Sequence, residues 1–156
     1  MTAATSDSTS NTSSNTSHAF IQEARRLLTE EYLPKIERCV EKLTDEQVWW
    51  RPNPESNSIG NLMLHLSGNA RQWIVSGLGG AGDRRARQTE FDEREMIARV
   101  ELLEKLKTTV ADVDDVLSSF AESRLMEKFP IQGTEATALA AIFHVTEHFS
   151  MHTGQI

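Results

Sequence analysis

The sequence predicts an all-α protein built as a four-helix bundle. Three observations carry that prediction. Apolar residues recur three or four apart through four long stretches. The stretches are separated by medium-length loops rich in turn formers. No alternating apolar–polar pattern runs longer than a few residues, and no internal repeat is present.

The elements follow in order. Residues 1–17, "MTAATSDSTSNTSSNTS", are rich in Ser, Thr and Asn. They carry too little apolar surface to offset the entropy of ordering, so a disordered tail is expected. Residues 18–156 form the bundle domain. In the first helix the inward stripe is Ile21, Leu28, Tyr32, Ile36, Cys39 and Leu43. Pro34 lies inside that stripe and should kink or split the helix near Leu33, because proline removes one N–H and crowds the preceding turn. Cys39 is expected as a small core residue. "DEQVWWRPNPESNS" reads as a loop, with Trp49 and Trp50 as anchors.

The second helix opens at Ser58, an N-cap for "IGNLMLHLSGNARQWIVSG", and stops in "GLGGAGD". Its stripe is Ile59, Leu62, Leu66, Asn69 and Trp73. No Gly-Lys-Ser/Thr follows the glycines, so they are not a phosphate loop. Arg84, Arg85 and Arg87 read as a solvated loop face. The third helix is expected over roughly 91–121, with Leu103, Leu106, Val110, Val113, Leu117 and Phe120 at spacings 3, 4, 3, 4, 3. "MEKFPIQGTEAT" interrupts it. Thr134 or Thr137 then opens the fourth helix.

Composition narrows the function. Sixteen Lys and Arg against 23 Asp and Glu give a net charge of −7. That balance argues against nucleic acid and against an anionic membrane surface as partners. Apolar runs are too short for a membrane span, and no secretion signal is evident. A cytoplasmic location is expected. One cysteine excludes an internal disulfide and a multi-cysteine zinc site.

The histidines are the unusual feature. The inward stripe of the fourth helix runs Ala141, Val145, His148, His152 and Gln155. Two imidazoles therefore hold seam positions where Leu or Ile would pack best, and a buried imidazole needs a partner. Residues at i and i+4 have Cβ atoms about 5–6 Å apart. Both rings can reach one divalent ion, and facing helices of bundles supply further ligands. His65, alone among histidines in the second helix, is the candidate third ligand. His18 sits at the tail boundary. Three neutral imidazoles leave a position for water or substrate. A competing motif is "HVTEH", an inverted zinc-protease signature, in which His144 and His148 would be ligands and Glu147 the base. A five-residue match arises readily by chance. His144 and Glu147 are otherwise expected beside the ligands or on the helix face, and Asn69 as a hydrogen-bond partner for a ligand.

"NSIGNLMLHLSGNARQWI" and "HVTEHFSMHTGQI" resemble the DinB/YfiT-like superfamily of small bacterial four-helix-bundle metalloproteins. A histidine followed by "LSGN", and His-x-x-x-His-x-x-x-His-x-Gly-Gln, carry the resemblance, which covers residues 18–156. It implies a DinB/YfiT-like topology and one divalent ion, zinc or nickel, held by His65, His148 and His152. It further implies a low-molecular-weight thiol as co-substrate, joined to an electrophile through a thiolate on the ion, and a homodimer. Thr153 stands where these sequences usually carry Arg. Two rival expectations remain: a non-catalytic, stress-associated metal-binding dimer, and a hydrolase using metal-bound hydroxide.

Overall fold

The computed structural model describes residues 7–156, with side chains from residue 15 onward. Four helical rods form the bundle, and the described residues are all-α apart from one short hairpin. The first rod is α1 (Asp7–Arg26) continued through a π-helical stretch, Leu27–Tyr32, into α2 (Leu33–Val40). Residues 7–17, expected as tail, carry the first turns of α1, and residues 1–6 lie outside the described residues. Extending a nucleated helix backward costs far less than starting one.

The expected break at Pro34 takes a specific form. The Leu33 N–H bonds to the Leu28 carbonyl, five residues back rather than four, and Pro34 then sits in the first turn of α2. The ring's missing N–H falls where a helix start has no partner for it anyway. Ile36 and Val40 enter the core, whereas Cys39 is exposed, which corrects its placement in the stripe.

The loop after α2 contains a single helical turn, α3 (Asp45–Val48), opened by a capping box between Thr44 and Gln47. Trp49 packs its ring against Gly60, where an added Cβ would lie 2.8 Å from the indole. Its Nε1 donates to the Ile97 carbonyl. Trp50, expected as an anchor, is exposed.

The second rod is α4 (Ile59–Ala70) plus a second π-helical stretch, Arg71–Ser76. Ser58 caps it as expected: its Oγ accepts from the Asn61 N–H, and Asn61 Oδ1 accepts from the Ser58 N–H. Nearly every α4 residue is buried, because α5, α6 and α7 all pack on it. The third rod starts later than expected. Residues 87–98 divide into a short α5 (Arg87–Asp92) and an extended connection before α6 (Arg99–Ser119). The α6 seam is as spaced, with Leu103, Leu106, Val110, Val113 and Leu117 buried and Phe120 half-buried at its end.

A two-stranded hairpin, β1 (Lys128–Ile131) and β2 (Thr134–Thr137), precedes the last rod. Its turn residues, Gln132 and Gly133, both have positive φ (54° and 76°), the conformation that two-residue hairpin loops require. Thr137 then caps α7 (Ala138–Gln155) by accepting from the Ala140 N–H. Among the described residues no helix is long and apolar enough to cross a membrane.

Candidate metal centre

His65 lies mid-α4, and His148 and His152 lie one turn apart near the end of α7. The packing of α7 against α4 brings the three rings together. One nitrogen from each lies within 4.8 Å of the other two. His65 Nε2 and His148 Nε2 are 2.8 Å apart. The His65 ring is edge-on to His148 and His152, with centroids at 4.9 and 5.3 Å.

The partners of the other ring nitrogens decide what this cluster can do. Glu90 Oε2 lies 2.9 Å from His65 Nδ1. Arg85 Nη2 also lies 3.1 Å from Nδ1, but it donates at the shorter 2.8 Å to Glu90 Oε2, so a proton on Nδ1 donates to that carboxylate and leaves Nε2 bare, facing the other two rings. Gln155 Oε1 lies 2.6 Å from His152 Nδ1 and acts on it in the same way. An amide oxygen can only accept, so His152 carries its proton on Nδ1. His152 Nε2 is then a buried lone pair with no hydrogen-bond partner among the described residues. An acceptor buried without a donor costs about 1–3 kcal/mol, and a cation between the rings satisfies it. Three imidazole nitrogens, two of them oriented by outer oxygen atoms, could hold a divalent metal ion. The residues present fit the group.

Protonation is arranged to match. Burial, then the neighbouring His152 and His65, pull His148 down from 6.5 to about 3. Burial also lowers His152. The His148 and His152 rings are therefore neutral in neutral solution, the form that binds a metal.

Glu90 and Arg85 escape the sequence reading. Glu90 is 9% exposed. Burial raises its carboxyl, but hydrogen bonds from Arg85 and His65 outweigh that and hold it below the usual range. Arg85 grips it with two donors, at 2.7 and 2.8 Å, and bonds Gln72 with a third, at 2.9 Å. The Arg85 side chain is thus buried rather than part of a solvated loop face, while Arg84 and Arg87 are exposed. Asn61 holds α5 in place by donating to the Glu90 carbonyl. Arg51 bonds both Asn61 Oδ1 and the Glu93 carbonyl.

One signal in the sequence does point to Glu90. Glycine inside a helix costs about 1 kcal/mol relative to alanine, so Gly68, one turn past His65, needs a reason. A Cβ there would stand 1.9 Å from Glu90 Oε1. The "LSGN" glycine is the space the carboxylate occupies.

The remaining candidates fall outside the cluster. His144 accepts from Asn69 Nδ2 at 3.2 Å and lies against Trp73, with ring centroids 4.2 Å apart. Its ring stacks on His148, but it is not among the converging three. Asn69 is buried and touches His144, one step from the ligands. Glu147 is exposed and has no place in the cluster, which removes the base from the inverted-protease reading. Thr153 is half-buried, and its hydroxyl has no partner among the described residues.

The family model described as "Protein of unknown function (DUF1572)" matches residues 15–156, and the chain belongs to that family and to the DinB/YfiT-like superfamily. A conserved protein from Enterococcus faecalis has a similar crystal structure: TM-score 0.72, 18% identity, 86% of this chain and 91% of that one. A DinB-like protein from Bacillus cereus aligns with TM-score 0.59 and 16% identity over 80% of each chain. At these identities the likeness is one of fold. No curated protein matches.

Two outcomes follow. Replacing Gly68 with Ala adds about 1 kcal/mol of helix propensity but drives Glu90 off His65. Zinc affinity should fall about 10- to 100-fold, the usual cost of losing an orienting partner, and Glu90→Gln should fall similarly. Competition with a chromophoric chelator measures both. Unchanged affinity in both variants contradicts the orienting role. The second outcome concerns pH. His148 is depressed on folding, so below 6.5 the unfolded chain takes up protons that the folded chain refuses. The melting temperature of chelator-treated protein should drop as pH falls from 6.5 toward about 3. The His148→Gln variant should show a shallower decline, and an equal slope contradicts the assignment.

Proposed function

We propose that this member of the DinB/YfiT-like superfamily is a divalent-metal-dependent enzyme that joins a low-molecular-weight thiol to an electrophilic carbon at the site formed by His65, His148 and His152. Zinc or nickel is the ion. The observation that carries the reading is the buried Nε2 of His152, without a partner among the described residues and facing His65 and His148. It supports a cation in a place where bundle packing alone would favour an apolar side chain.

An ion held there supplies fixed positive charge that keeps a bound thiol deprotonated in neutral solution. The chain's own residues set the conditions. Glu90 and Gln155 hold the Nδ1 protons of His65 and His152 and so aim Nε2 inward. Arg85 neutralises the Glu90 carboxylate, which limits how much negative charge reaches the ring. Phe91 covers the His65 ring at 4.6 Å and keeps water from that side. The attacking sulfur bonds to carbon, and the electrophile's leaving group or π-electron pair takes up the proton lost by the thiol. A cytoplasmic location and small thiols as partners belong to this reading.

A second reading is a non-catalytic metal-binding bundle that acts as a homodimer. Leu139, Phe143 and Met151 favour it, because all three are exposed on α7.

The test is turnover of a chromogenic electrophile with glutathione, bacillithiol or mycothiol by zinc- and nickel-loaded protein. Metal- and thiol-dependent product is expected in at least one pairing. His148→Ala and His152→Ala should each lose more than about 100-fold in metal affinity together with that activity. His144→Ala should retain most of both. Ester or amide hydrolysis without thiol would identify a hydrolase instead. No turnover in any metal form would favour the non-catalytic dimer.

A further inference from the structure

Behind the Arg85–Glu90 pair lies a cleft of about 690 Å³ between α4, α6 and the 81–97 segment. That volume suits a small organic molecule. The three histidines do not line it, so it is separate from the metal centre, with Arg85 and Glu90 in its wall. Leu64 and Ile97 give it apolar surface.

Its charges are unevenly satisfied. Asp83 accepts from Gln72 Nε2 and from the Arg85 N–H. Glu90 is held by Arg85 and His65. Glu93 accepts from the N–H groups of Arg94 and Glu95. Among the cations, Arg71 pairs with Asp112 and Arg85 with Glu90. Arg84 and Lys105 also line the cleft, and among the described residues neither side chain has an ion pair or hydrogen bond. The protein thus meets the needs of the cleft's carboxylates and leaves two of its cations free. This occurs in a chain whose net charge is −7.

We propose that this cleft is a second ligand site, for a compact organic anion whose carboxylate or phosphate engages Arg84 and Lys105 and whose carbon skeleton lies against Leu64 and Ile97. Guanidinium and ammonium groups are the side chains suited to such an anion. The site needs no metal and stands independently of the function proposed above.

Isothermal titration calorimetry on the full chain, with and without chelator, tests it using glutarate, inorganic phosphate and neutral glutaramide. Saturable binding of glutarate or phosphate is expected, glutaramide should bind far more weakly, and chelator should change nothing. Arg84→Ala with Lys105→Ala should weaken the anion about tenfold or more. Both residues are exposed, so the fold should survive, which the melting temperature checks. Stronger binding of glutarate than of phosphate marks a carboxylate ligand, and the reverse marks a phosphate. Glutaramide binding as tightly as glutarate, an unchanged double variant, or no saturable binding of either anion overturns the proposal. Metal binding that fails while anion binding persists separates this site from the histidine centre.

Discussion

The contact between the Glu90 carboxylate and His65 Nδ1 is the interaction on which the centre depends. Imidazole has one proton for two nitrogens when neutral, and the hydrogen bond on one side decides what the other can do. With the proton held toward Glu90, His65 offers a lone pair to the rings of α7. In the metal-free protein that lone pair accepts from His148 Nε2, 2.8 Å away, and a bound cation would take the place of that proton. Much of the surrounding structure serves this one bond. Gly68 makes room for the carboxylate, Arg85 balances its charge, Asn61 fixes the backbone that carries it, and Trp49 packed on Gly60 holds the neighbouring chain.

Burying such a pair is costly. An ionised carboxylate taken out of water loses several kcal/mol of solvation, which a guanidinium recovers only with good geometry. Arg85 supplies that geometry with two short donors. An apolar cluster would serve stability alone, so the presence of Arg85, Glu90 and His65 together fits an arrangement for orienting a ligand.

Some of this was readable in the chain and some was not. The α6 seam was readable because Leu103 to Leu117 keep one period without interruption. The α7 histidines stood out because their period is that of the core while their chemistry is not. Ser58 and Thr137 were identifiable as caps, since a hydroxyl before an apolar run has a defined partner. Cys39 was misplaced because the buried face of α2 continues from Ile36 to Val40, four residues on, rather than to Cys39, three on, and spacing alone allows either. The hairpin at 128–137 is too short to show alternation, and its turn is the less usual Gln-Gly. Glu90 and Arg85 were hidden for a different reason. Their meaning comes from a contact across 25 residues of chain to His65, in a segment whose local composition reads as solvated.

The central claim is that His65, His148 and His152 share one divalent ion through Nε2. Zinc-edge X-ray absorption on the stoichiometrically loaded protein tests it most directly. The account predicts a first shell with about three imidazole nitrogens at about 2.0–2.1 Å, and loss of that imidazole signal in the His65→Ala, His148→Ala and His152→Ala variants but not in His144→Ala. A shell of oxygen atoms without imidazole scattering, or one that survives loss of His152 and collapses with loss of His144, would contradict it.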